Sequence, residues 1–172
     1  MREKDDALRV VMQFGGDILS SEGMQKEKDF LQHGTVSVYE HSLKVAVMCV
    51  TIADRLALRV DMRSLVRGAL LHDYFLYDWH VSDKNRPLHA FYHPKSAIRN
   101  AERDFGLNNI ERNMIGAHMF PLASKFPRYR ESMILCLADK ICATRETFAG
   151  RPPKIHNKKQ RAEITLSETP HP

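Results

Sequence analysis

The sequence predicts an all-α bundle of five or more helices, and three observations lead there. Apolar residues recur at close to 3.6 positions in stretch after stretch, no segment alternates convincingly with a period of two, and neither a Gly-rich phosphate loop nor an internal repeat intervenes. Hydrophobic residues at 43% and charged residues at 27% are ordinary for a globular chain. A length of 172 residues is enough to bury a core in one domain without disulfides.

The elements follow in order. Residues from about Lys4 to Ser20 place Leu8, Val11, Met12 and Ile18 at near-helical spacing, across Gly15 and Gly16. The polar run SSEGMQKEKDFLQHG reads as a loop with a short turn. From about Val36 to Leu58, the residues Val38, Val45, Met48, Ile52 and Leu56 define an apolar face, and His41 falls on it one turn before Val45. Asp61 is placed to cap a helix from about Met62 to Leu71, with Leu65, Ala69 and His72 along one face. The stretch YFLYDWHVSDKNRPLHAFY is aromatic and loop-like, Pro87 excludes a continuous helix, and this segment is the expected lid. His93 and Pro94 mark the next start, with proline at the first helical position, and Gly106 ends that helix. Asn108 or Asn109 caps the following one, where Met114, Ile115 and His118 share a face before Pro121. A last helix from about Tyr129 to Phe148 turns Ser132, Leu135, Cys136, Asp139, Cys142 and Ala143 inward.

The net charge of +5 divides unevenly. Beyond residue 150, Arg151, Lys154, Lys158, Lys159 and Arg161 face only Glu163 and Glu168, so the end of the chain carries most of the excess. The expectation is a helical domain over residues 1–150 and a basic, disordered tail over 151–172, without the interleaved aromatics of a nucleic-acid surface. No apolar run approaches the roughly 20 residues of a membrane span, and MREKDDALRV lacks a signal-peptide core. Cys49, Cys136 and Cys142 are odd in number and lie in apolar helical patterns. Together these set the expected address as the cytoplasm.

Chemistry enters with the polar residues that the apolar faces carry inward: His41, His72, Asp73, His93, His118 and Asp139. Any one of them alone reads as a hydrogen-bonded core residue. Six left unpartnered would cost several kcal/mol, at about 1–3 each, against a total stability of about 5–15. A shared metal satisfies them. Imidazole and carboxylate without thiolate suit Fe, Mn, Zn or Ni in a site with open positions. Four such ligands hold one ion and six can hold two, with Asp73, able to use both oxygens, as the bridge.

The order His41, then His72-Asp73 in ALLHD, then Asp139 in CLADK resembles the HD-domain metal-dependent phosphohydrolase superfamily. His93 in YHP and His118 in GAHMFP resemble its dinuclear branch, which includes HD-GYP phosphodiesterases and diadenosine-tetraphosphate hydrolases of the YqeK type. The likeness covers about residues 33 to 148. It implies an HD-domain helical bundle around one or two divalent ions, hydrolysing a phosphomonoester or phosphodiester, often of a nucleotide. By the same resemblance His41, His72, Asp73 and Asp139 form a first metal site, and His93 and His118 complete a second with Asp73 between them. The sequence departs from the pattern after HD, where YFLYDWH follows, where no GYP motif occurs, and where Met119 rather than histidine follows His118.

Around that set, Arg67, Lys95, Arg99, Arg128, Arg130 and Lys140 are candidates to neutralise phosphate, Arg67 equally to brace the bundle. Tyr74, Tyr77, Trp79 and Phe91 either stack a nucleobase or belong to the core. Among His33, His80 and His89, His80 is the favoured proton carrier, with Asp78 to orient it. The expected reaction is attack of metal-activated hydroxide on phosphorus. The competing expectation is a non-catalytic module of the same fold that senses a nucleotide or binds a partner.

Overall fold

A computed structural model describes residues 2–33, 35–76 and 89–149. The middle of the expected lid, residues 77–88 with Tyr77, Trp79 and His80, and the tail from residue 151 lie outside the described residues, as do the side chains of His33, His89 and Phe91. The described residues form seven helices and one two-stranded hairpin: α1 (Arg2–Ser20), α2 (Glu22–Lys26), β1 (Leu31–His33), β2 (Val36–Ser37), α3 (Val38–Arg55), α4 (Met62–Leu71), α5 (His89–Phe105), α6 (Asn109–Ala117) and α7 (Arg130–Ala149). None of these helices is long and apolar enough to cross a membrane.

The short helix α4 is the axle of the bundle. Every residue from Ser64 to Leu71 is buried, so it is enclosed on all sides rather than lying with one face to solvent. Its start is fixed by Asp61, whose carboxylate accepts from Ser64 N at 3.0 Å and from Ser64 Oγ at 2.9 Å. Helices α1, α3, α5, α6 and α7 all touch it. Two glycines set the closest approaches: a Cβ on Gly15 of α1 would collide with Leu70, and one on Gly68 with Met114 of α6. The core therefore runs through Leu65, Val66, Ala69 and Leu70 into Val45, Met114, Ile115 and Leu135.

Some expectations need correcting. On α1 the buried face is Ala7, Val11, Ile18 and Leu19, while Leu8 and Met12 stand 40% and 52% exposed. The run after Ser20, expected as loop, forms α2, capped by Ser21 through Met24 N, and then the hairpin, in which Leu31 pairs antiparallel with Ser37. Strands of three and two residues are too short to show a period in sequence. Helix α5 begins at His89 rather than at Pro94, which sits inside it. Proline there forfeits one intrahelical bond and leaves the rest of the helix intact, because the clash and lost donor act only on the preceding turn. Asn108 is the cap of α6 and forms a reciprocal capping box with Glu111.

Candidate metal centre

The ends of two helices are built alike. His72 is the C-cap of α4 and His118 the C-cap of α6. In each, Nδ1 donates to the carbonyl three residues back, Ala69 O for His72 and Ile115 O for His118, both at 2.8 Å. The last carbonyls of a helix need such donors. Meeting that need with Nδ1 leaves Nε2 of each ring to face the interior between the helices. His41 is oriented by a different partner: its Nδ1 lies 2.8 Å from Glu146 Oε2, and Glu146 is also held by Lys44 at 3.2 Å.

Asp73 stands among the Nε2 atoms and divides its oxygens between two sides. Oδ2 is 3.3 Å from His72 Nε2 and 3.9 Å from His41 Nε2. Oδ1 is 3.4 Å from His93 Nε2 and 3.6 Å from His118 Nε2. His93 Nε2 approaches His118 Nε2 to 2.7 Å; because His118 Nδ1 holds its own proton for Ile115 O, His93 is the donor. Asp139 closes the first side, with Oδ1 at 3.2 Å from His41 Nε2 and 3.8 Å from His72 Nε2. Its side chain is 13% exposed, the most open of the six. Thus His41, His72 and Asp73 form one group that can hold a cation, and Asp73, His93 and His118 form another, sharing the carboxylate.

Electrostatics favour a cation here. Burial alone would raise the Asp73 carboxyl, but His72, His93 and His118 around it hold it well below the usual carboxylate range. Asp139 is likewise held low against burial, by His41 and His72. His41 and His72 are raised although burial opposes it, His41 by Asp139 and Glu146 and His72 chiefly by Asp73. His118 goes the other way, down to about 4, because burial and the neighbouring His93 and His72 outweigh the attraction of Asp73. A direct test of fit comes from two buried atoms of the set, His72 Nε2 and Asp73 Oδ1, which have no hydrogen-bond partner. An imidazole nitrogen and a carboxylate oxygen left unpaired within a few ångströms of each other are what a divalent ion satisfies.

The remaining candidates separate. Lys140 is half-buried beside the site, its Nζ donating to His118 O at 3.1 Å and Cys136 O at 3.3 Å. Of the two expectations for Arg67, the structure shows the brace: it is buried against Glu111 at 2.8 Å, donates to Phe105 O and Gly106 O at 3.2 Å each, and approaches Asp17 at 3.8 Å. It braces α4 to α6 and the α5 terminus. Arg130 is also displaced from the site, since its guanidinium caps Arg59 O before the start of α4, about 15 Å of helix away from His72 at the other end. Arg128 is exposed, and its backbone N–H is tied to Asn113 Oδ1. Lys95 is exposed two positions after His93, a turn of about 200° that puts it on the far side of α5 from the site. Tyr74 is core: it is buried edge-on to Phe105 and its hydroxyl donates to Asp104.

Three contributors had not been singled out from sequence. Glu146 lies two turns after Asp139 on the same buried face of α7, a spacing that would have found it. Gln32 donates to Asp73 Oδ2 at 2.5 Å from β1, and nothing in a polar run marks it. Asn100 donates to Tyr74 O and Phe75 O, pinning the chain just beyond Asp73.

No curated protein and no solved structure matches the chain. The family model of the HD domain matches residues 38–144, a span that runs from the first residue of α3 into α7 and includes all six converging side chains. The chain belongs to the HD-domain family.

Proposed function

We propose that the protein is a cytoplasmic metal-dependent phosphohydrolase acting on a phosphomonoester or phosphodiester, in particular of a nucleotide. The observation that carries the reading is the division of Asp73, one oxygen toward His41 and His72 and the other toward His93 and His118. His41, His72, Asp73 and Asp139 would hold one divalent ion and Asp73, His93 and His118 a second, Fe or Mn in preference to Zn or Ni. Bound there, such ions acidify water and offset the charge that builds on phosphoryl oxygens.

The chain's own groups do the rest. Glu146 and the carbonyls of Ala69 and Ile115 fix three imidazole rings so that no reorientation is needed when a phosphate arrives. Lys140, whose Nζ donates to His118 O beside the site, is the residue we assign to meet a phosphoryl oxygen. In the reaction a water oxygen bonds to phosphorus, the P–O bond to the leaving group breaks, and the water's proton ends on the leaving oxygen. His80, the favoured carrier of that proton, belongs to the segment outside the described residues.

The test is phosphate release from a panel of nucleotides and phosphodiesters with added Mn²⁺ or Fe²⁺. Turnover by the wild type and none by Asp73→Ala is expected. Nucleotide binding without turnover of any substrate would instead make the protein a sensing module.

A further inference from the structure

Gln32 is the central residue of β1 and is buried. The bond from its Nε2 to Asp73 Oδ2 joins positions 41 residues apart and ties the hairpin to the site. The amide N–H is the end that faces Asp73, since it is the donor to Oδ2 and a carboxylate oxygen accepts. The other end, Oε1, is buried and has no hydrogen-bond partner. The two polar atoms of an amide are about 2.2 Å apart, so this oxygen lies within about 5 Å of Asp73 Oδ2. An unpaired buried carbonyl costs about 1–3 kcal/mol, a penalty that an apolar side chain of the same length would avoid. It cannot swing away freely: the strand is held by pairing of Leu31 with Ser37 and by Val38 N donating to Phe30 O at 2.8 Å. The penalty is relieved when a donor enters the site.

We propose that Gln32 is a positioning residue whose N–H clamps Asp73 Oδ2 in its place between the imidazoles and whose Oε1 accepts a hydrogen bond from the water that attacks phosphorus. The second half rests on the hydrolase reading; the first does not. Nothing else among the described residues donates a hydrogen bond to that oxygen of Asp73 from outside the ligand set.

The experiment uses the full chain with Gln32→Met, which keeps length and removes both polar atoms, and Gln32→Asn, which keeps the amide but is too short to reach. Titration with Mn²⁺ alone, followed by calorimetry, is expected to show binding weakened about tenfold in both, the size of loss seen when outer partners of metal ligands are removed. Unfolding of metal-free Gln32→Met should shift little, because removing the unpaired Oε1 offsets the lost bond to Asp73. Mn²⁺ affinity within about twofold of wild type overturns the clamp, and so does failure of both variants to fold, which would make Gln32 a structural residue; where one folds, that one decides. At saturating Mn²⁺, kcat should fall with KM unchanged, by a similar factor for a nucleotide and for bis(4-nitrophenyl) phosphate. A loss confined to the nucleotide would put Oε1 on a substrate hydroxyl and overturn the water assignment. Absence of wild-type turnover on every substrate defeats the hydrolase reading and the water assignment together, while the Mn²⁺ titration still decides the clamp.

Discussion

Glu27 makes a sharp prediction about stability and pH. Its side chain is fully buried at the end of α2; Oε1 accepts from Leu76 N at 3.0 Å and Oε2 has no partner. Burial, with a smaller push from the charge of Asp73, lifts its pKa from 4.5 to about 8, against the pull of the Leu76 N–H. A carboxyl raised in the folded state keeps a proton that the unfolded chain releases. Its contribution is therefore fully present below about pH 4.5 and is lost as pH rises to about 8. At about 1.4 kcal/mol per pH unit the loss reaches roughly 5 kcal/mol at most, a large share of a total of about 5–15. Glu27→Gln keeps an oxygen for Leu76 and removes the titration. Urea unfolding of metal-free wild type and variant at pH 5, 6, 7 and 8 should show the variant gaining on the wild type with each step, because every other group titrates equally in both. A stability difference that stays constant across the range would refute the reasoning.

Other perturbations separate the site from the scaffold. Asp73→Ala should abolish tight binding of Mn²⁺ or Fe²⁺, read by metal analysis of anaerobically purified protein, while circular dichroism still reports the helical bundle; retention of a full complement of metal would defeat the shared-carboxylate reading. Glu146→Gln should weaken metal binding by about 10–100-fold through His41, with Lys44→Ala doing much less because that lysine is 51% exposed. Arg67→Met should lower stability by about 3–5 kcal/mol, since it leaves Glu111 buried without its cation, and leave Mn²⁺ affinity unchanged. Adding Glu111→Gln to that variant should recover part of the loss, as measured by thermal unfolding.

Much of this arrangement is legible in the chain, and the reasons are local. Asp61 before an apolar run, Asn108 three residues before Glu111, and His41 or Asp139 inside an apolar stripe each carry their signal within a turn or two of helix. The six converging side chains are legible for the same reason: a polar residue on a buried face is an anomaly that its own helix reveals. What could not be read depends on contacts between distant segments. Gln32 looks like any polar loop residue until the hairpin brings it 2.5 Å from Asp73. Arg67 looks like a phosphate ligand because it precedes His72, yet its direction on α4 is set by Glu111, 44 residues on. Leu8 and Met12 fit a helical stripe as well as Ala7 and Leu19 do, and only the packing of α1 chooses between them.

The position of the HD pair follows from the way α4 ends. A helix enclosed on every side has its C-terminal carbonyls in the interior, where water cannot reach them, and a negative end of the helix dipole with them. A histidine at the cap answers the first problem through Nδ1, as His72 does with Ala69 O, and a cation beyond Nε2 answers the second. Helix α6 arrives with the same construction in His118 and Ile115 O. Two buried helix ends and the carboxylates of Asp73 and Asp139 thus concentrate negative potential in one place, with imidazole nitrogens already turned toward it. Removing His72 would therefore do more than delete a ligand: it would also leave Ala69 O without that buried donor, so His72→Ala should lower metal-free stability by about 1–3 kcal/mol as well as metal affinity. His72→Gln, whose side-chain amide can donate to the same carbonyl, should restore the stability and not the metal. If both variants unfolded at the wild-type temperature without metal, the cap and the ligand would be separate matters and this account of the helix end would be wrong.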